Sequence, residues 1–117
     1  MLIVDDNLVN QEIYREILGD EYLTVMAGDG MEAIRLATRH RPHVVLLDVM
    51  LPGLDGYEIC KRLRSLPETR GARIIMASAK AMPSERDLGM AAGADAYITK
   101  PFDESDLLAA IHAVQLT

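Results

Sequence analysis

The 117-residue sequence predicts a single α/β domain, doubly wound around a five-stranded parallel sheet. Three observations support this. Strand-like and helix-like patterns alternate five times along the chain, the signature of successive βαβ units. The strand-like runs are nearly continuous in Val, Ile and Leu, as expected when helices cover both faces of a sheet. Four of the five runs end in a polar residue (an aspartate twice, a serine and a lysine), and in open α/β sheets the carboxyl ends of parallel strands line the ligand edge.

The first run, Leu2-Ile3-Val4, stops at Asp5-Asp6. A helix follows, with Val9, Ile13 and Ile17 spaced four apart as its expected apolar face and Gly19 near its end. The second run lies between Tyr22 and Ala27 and carries no polar end group of this kind. Asp29 with Glu32 forms a capping-box pattern, and Met31, Ile34 and Ala37 supply the expected apolar positions of the second helix. His43 to Leu47 stops at Asp48. Asp55 with Glu58 repeats the cap before a third helix carrying Ile59, Leu63 and Leu66. Arg73 to Ala77 stops at Ser78. A fourth helix is expected from Pro83 or Ser84 to Gly93, weakened by Gly89 in its interior at a cost of about 0.5–1 kcal/mol relative to Ala. Ala96 to Thr99 stops at Lys100-Pro101, and Asp103 caps a fifth helix with Leu107, Leu108, Ile111 and Val114 facing inward. Short right-handed connections leave few topologies. The flavodoxin-like order 2-1-3-4-5 sets the first and third strands side by side and brings Asp5, Asp6 and Asp48 together.

A chain of this length suits one core, so residues 1–117 are expected to form one domain with no output domain. Half the residues are hydrophobic, which excludes disorder. The formal net charge of −6 argues against binding nucleic acid or an anionic membrane. No apolar run reaches membrane-spanning length and no leader pattern opens the sequence. The lone Cys60 excludes an internal disulfide and, as a small core residue, fits a reducing compartment; a cytoplasmic location is expected. The three histidines show no metal-ligand spacing, and the mixed charges from Glu58 to Arg73 read as a solvated face on which Arg62 or Arg64 touches a partner.

Three carboxylates in one pocket repel unless a cation or a shared proton is present, and Mg²⁺, which takes oxygen ligands and keeps waters for a phosphate to replace, suits them. A carboxylate at a strand end, Asp48, is a candidate nucleophile toward phosphorus. Lys100 offers an ammonium to the charge that builds on phosphoryl oxygens, and Ser78 and the Ala79 N–H offer donors. Taken singly, Asp5-Asp6 reads equally as a helix cap, Ser78 as a turn residue, Lys100 as solvated surface and Pro101 as an ordinary trans loop proline. Their conjunction points to phosphoryl chemistry. An aspartate-nucleophile phosphohydrolase would need a second Asp two residues after the nucleophile, where Met50 stands. A flavin or nucleotide binder would need a Gly- or Ser/Thr-rich phosphate loop after the first strand, where Asp5-Asp6-Asn7 stands.

Over its full length the chain resembles the receiver domain of bacterial two-component response regulators. The resemblance rests on Val4-Asp5-Asp6-Asn7, on Leu46 to Gly56, on Ala77-Ser78-Ala79 and on Gly93 to Phe102. It implies that Asp48 is the phosphoacceptor, with Asp6 binding Mg²⁺ directly, Asp5 acting through water and the Met50 backbone carbonyl completing the protein ligands. It further implies that Lys100 pairs with the phosphoryl group, that the Val49 and Ala79 backbones bind phosphate, that Ser78 and Tyr97 are the switch pair, and that Pro101 follows a cis bond. The implied donor is a histidine kinase or histidine phosphotransfer protein, and the implied response is a change in the α4-β5-α5 face that regulates a partner or output domain. Such a domain catalyses its own phosphorylation and dephosphorylation but is not a turnover enzyme. The alternative is a degenerate receiver that works as a phosphorylation-independent docking module.

Overall fold

The computed structural model describes residues 1–51, 53–80 and 82–115, with Asp20 described by its backbone alone; Pro52 of the matched segments lies outside the described residues. The elements in chain order are β1 (Leu2–Val4), α1 (Leu8–Leu18), a 3₁₀ turn (Gly19–Glu21), β2 (Val25–Ala27), α2 (Gly30–His40), β3 (Val44–Asp48), α3 (Gly56–Ser65), β4 (Arg73–Ser78), α4 (Pro83–Ala92), β5 (Ala96–Thr99) and α5 (Glu104–Gln115). All strand pairs are parallel and the order is β2-β1-β3-β4-β5.

Successive residues of each strand enter different cores. Leu2, Val4, Val45, Leu47, Ile74 and Met76 pack on the side of α2, α3 and α4. Ile3, Val44, Leu46, Ile75 and Ala77 pack on the side of α1 and α5. This three-layer arrangement is why the strand runs lack polar alternation. The register then sets the ligand edge. Val4 pairs with Leu47, Asp48 with Ala77, and Ser78 with Thr99, so Asp5 and Lys100 each lie one step beyond a paired position, at the same edge as Asp48 and Ser78.

The helix caps form as the sequence predicts. The Asp29, Asp55 and Asp103 carboxylates accept from the N–H groups of Glu32 (2.8 Å), Glu58 (2.9 Å) and Asp106 (2.8 Å). The Asp106 carboxylate reciprocates to the Asp103 N–H at 3.2 Å, closing that box. Cys60 is fully buried, and burial pushes its thiol up to about 11.

Two expected helix faces are corrected. Val9 and Ile13 are exposed, and α1 instead buries Tyr14 and Leu18, with Ile17 at the margin. One residue is a 100° rotation on a helix, so the stripe through residues 9, 13 and 17 runs beside the one through 14 and 18. Tyr14 fixes the rotation by stacking on Phe102, with ring centroids 6.3 Å apart and planes 15° apart. On α2, Met31 is exposed, and the small residues Ala33 and Ala37 are buried, allowing the helix to lie close to the sheet.

Arg64 is also corrected: it is a structural staple. Its guanidinium donates to Gly93 O (2.9 and 2.7 Å), Arg70 O (2.8 Å), Ala72 O and Asp95 Oδ2 (2.8 Å). Asp95 Oδ2 also accepts the Ile74 N–H at 2.8 Å. One side chain thus ties the ends of α3 and α4 to the entries of β4 and β5. Arg64→Ala is expected to cost about 3 kcal/mol, because several carbonyls and a partly buried carboxylate lose a charged donor together. Urea denaturation checks this, and a loss below about 1 kcal/mol contradicts it.

Gly89 has a packing role. A Cβ there would lie 2.9 Å from Tyr97 Cδ2 and 3.0 Å from Met76 Sδ. The glycine that weakens α4 intrinsically is what lets α4 approach β4 and β5.

Candidate functional site

The site is built where β1 and β3 end. Asp5 is 1% exposed, and its N–H continues the sheet by donating to Ala27 O at 3.0 Å. Its carboxylate accepts from the Asn7 N–H (2.9 Å) and Asn10 Nδ2 (3.2 Å), while Gln11 Nε2 donates to its carbonyl (2.7 Å). Asn7 in turn caps α1 through the Asn10 N–H at 3.1 Å. The start of α1 therefore holds the β1–α1 turn in shape. Sequence reasoning did not single out Asn10 and Gln11 for this; the available signal was two amides one turn into a helix that follows an acidic strand end.

Asp48 is 7% exposed. Its Oδ1 accepts the Met50 N–H at 3.0 Å, and its Oδ2 lies 3.1 Å from Lys100 Nζ. The same ammonium is 3.6 Å from Asp5 Oδ2. Asp6 completes the acidic group: Asp5, Asp6 and Asp48 each offer an oxygen within 4.8 Å of the others. At such a separation two like charges repel by about 3 kcal/mol at an effective dielectric near 20. The Asp48 carboxyl is accordingly pushed up, first by burial; the Met50 N–H and Lys100 act against the shift and Asp5 adds to it. One ammonium leaves three carboxylates undercompensated. The donor set is oxygen alone and the charge is excess negative, which fits a hard divalent cation.

Ser78 is fully buried at the end of β4, and its hydroxyl accepts the Lys80 N–H at 3.1 Å. The Lys100 N–H donates to Ser78 O at 2.8 Å, fixing the β5 end against the β4 end. The Lys100–Pro101 peptide is cis. Tyr97 is buried, with its hydroxyl donating to Lys80 O at 3.0 Å. Ala79 is exposed beyond Ser78 and lines a cavity of about 430 Å³ with Tyr14, Lys100 and Phe102. Val49 does not hold its N–H toward the pocket but donates it to Ala77 O at 3.1 Å; the N–H that meets the Asp48 carboxylate is that of Met50. The strand ladder simply runs one residue past Asp48.

A 2-1-3-4-5 parallel sheet with an acidic pocket at the ends of its first and third strands is the architecture of two-component signalling domains. The response regulator receiver domain model matches residues 1–112, and the chain belongs to that family. It is 40% identical over 114 residues to response regulator MprA of Mycobacterium leprae, an alignment that covers 97% of this chain and 49% of the relative. The chain thus spans about half the length of the curated relatives it matches. Among solved structures it is similar to chemotaxis protein CheY4 of Vibrio cholerae, with a TM-score of 0.91, 31% identity and coverage of 97% of this chain and 95% of the other. It is likewise similar to the receiver domain of sensor histidine kinase PA1611 from Pseudomonas aeruginosa, with a TM-score of 0.90, 32% identity and coverage of 99% and 96%. That structure has a magnesium ion coordinated in its active site cleft. No helix among the described residues of the present chain is long and apolar enough to cross a membrane.

Proposed function

We propose that the chain is a phosphoacceptor switch whose Asp48 takes a phosphoryl group from a phosphohistidine on a histidine kinase or phosphotransfer protein. The observation that carries this reading is the cluster in which Asp48 Oδ2 lies 3.1 Å from Lys100 Nζ while the Asp5 and Asp6 carboxylates stand beside it. An Asp48 carboxylate oxygen attacks phosphorus, forming an O–P bond as the donor's N–P bond breaks, and the imidazole nitrogen keeps the electron pair. Lys100 neutralises charge on the phosphoryl oxygens, and the Ser78 hydroxyl, released from the Lys80 N–H, donates to one of them. Asp5, Asp6, Asp48 and the Met50 carbonyl would hold Mg²⁺, Asp5 through water. When bound, the ion supplies positive charge that offsets the repulsion between these carboxylates and the incoming phosphoryl group.

The switch pair is Ser78 and Tyr97, and the response is a shift between two conformations of the α4-β5-α5 face. The output is a partner or another part of a longer protein, and the setting is the cytoplasm. Small acyl phosphates serve as donors in place of the phosphohistidine, so the test needs no partner. With acetyl phosphate and Mg²⁺, the chain is expected to gain one phosphoryl group by phosphate-affinity electrophoresis. Excess EDTA is expected to reduce the uptake at least about 100-fold, as removal of the principal charge-stabilising group does elsewhere. Equal uptake with and without EDTA contradicts the metal assignment.

A further inference from the structure

The buried Tyr97 of β5 is linked through Lys80 and Glu85 to a second tyrosine, on α3. Tyr57, the second residue of α3, donates its hydroxyl to Glu85 Oε2 at 2.8 Å and lies 3.4 Å from Glu85 O. Glu85 sits in the first turn of α4, where its N–H donates to Met82 O at 3.0 Å. Its other carboxylate oxygen faces Lys80 Nζ at 4.0 Å. Lys80 is the residue whose carbonyl accepts the Tyr97 hydroxyl and whose N–H donates to Ser78 Oγ. Burial, then Glu85, then Tyr97 push the Tyr57 phenol above its ordinary pKa.

The other end of this connection reaches Asp48. Gly56, immediately before Tyr57, donates its N–H to Val49 O at 3.0 Å. A Cβ on Gly56 would fall 2.6 Å from Val49 Cα. The first residue of α3 is therefore in backbone contact with the segment that follows Asp48.

We propose that Tyr57 and Glu85 are positioning residues: their hydrogen bond clamps the first turn of α4 to α3, keeps Tyr97 buried, and thereby raises the affinity of the Asp48 pocket for a phosphoryl group. The pair touches neither phosphorus nor metal. It acts on a two-state element, and a bond present in one state alone shifts the equilibrium by its differential strength. By linkage, whatever favours buried Tyr97 favours occupancy of Asp48 by the same factor. The proposal takes its ligand from the phosphoacceptor reading above, while its effect on Tyr97 is measurable without any ligand.

The test uses the 117-residue chain with its four tyrosines labelled by fluorotyrosine, the Tyr97 signal being assigned with Tyr97→Phe. Solvent exposure of the Tyr97 ring is read by ¹⁹F NMR with a soluble paramagnet. Affinity for beryllofluoride in the presence of Mg²⁺ is read by titration. Tyr57→Phe and Glu85→Ala are expected to raise the exposure of Tyr97 and to weaken beryllofluoride binding about three- to tenfold, the worth of one hydrogen bond of this kind. Glu85→Gln keeps a carbonyl acceptor and is expected to stay within about twofold of the native chain on both readouts. Circular dichroism confirms that each variant is folded. If Tyr57→Phe and Glu85→Ala leave Tyr97 as buried as in the native chain, the clamp does not exist. If Tyr97 becomes exposed while affinity is unchanged, the clamp exists but is uncoupled from Asp48, and the proposal falls. If the native chain binds no beryllofluoride, the phosphoacceptor reading has failed; the coupling to Asp48 falls with it, and the paramagnet readout alone still decides whether Tyr57 holds Tyr97.

Discussion

Replacing Lys100 with Met is expected to slow phosphoryl uptake at Asp48 by on the order of 100-fold, the usual loss when one charge-stabilising donor is removed from a reaction of this type. Two effects combine. The phosphoryl oxygens lose the ammonium that stands 3.1 Å from Asp48 Oδ2. The Asp48 carboxyl, already pushed up by burial and by Asp5, also loses one of the two groups that act against that shift. The sign of the pH effect follows. A carboxyl with a raised pKa becomes the nucleophilic carboxylate only at higher pH, so uptake by Lys100→Met rises with pH through a midpoint above that of the native chain. Initial rates with acetyl phosphate and Mg²⁺ across a pH series give both quantities. A rate within twofold of native and an unshifted profile would show that Lys100 is only a surface charge near the site.

Gly56→Ala is expected to destabilise the chain by about 2 kcal/mol and to impair the site as well. The new Cβ would lie 2.6 Å from Val49 Cα and 2.9 Å from Asp48 O. Both are backbone atoms and cannot swing aside as a side-chain end can. Overpacking of this kind costs about 3 kcal/mol, and the better helix propensity of Ala returns about 1 kcal/mol. Relief comes only by moving the Asp48–Val49 segment away from α3, so phosphoryl uptake should fall together with stability. Gly71→Ala is the control: a Cβ there meets nothing within 4 Å. Urea melts of both variants decide the matter, and equal stability of the two contradicts the packing account.

What could be read in the sequence, and what could not, divides along range of interaction. Strand ends at Asp5, Asp48, Ser78 and Lys100 follow from where continuous apolar runs stop, and parallel strands of one sheet bring such ends to one edge. The caps at Asp29, Asp55 and Asp103 are three-residue patterns with a local cause. The rotation of α1 was not legible from spacing, because Val9-Ile13-Ile17 and Tyr14-Leu18 are both helical stripes and the choice is made by Phe102, far along the chain. The Arg64 bonds to Gly93 and Asp95 and the Tyr57–Glu85 bond join residues 28 or more apart. No periodicity marks such a pair, and a charged or hydroxylated residue on a helix reads as solvated surface until the fold supplies its partner. The Val49 N–H bond to Ala77 O is hidden for a related reason: nothing in the run announces that the ladder continues one bond past Asp48.

The central claim is that one carboxylate, Asp48, becomes an acyl phosphate. Borohydride reduces an acyl phosphate to the alcohol, which converts the modified aspartate to homoserine and leaves free carboxylates untouched. After incubation with acetyl phosphate and Mg²⁺, reduction and peptide mapping are expected to place homoserine at residue 48, with none formed in Asp48→Asn. Homoserine at Asp5 or Asp6, or its absence from a native chain that stays folded throughout, would contradict the account.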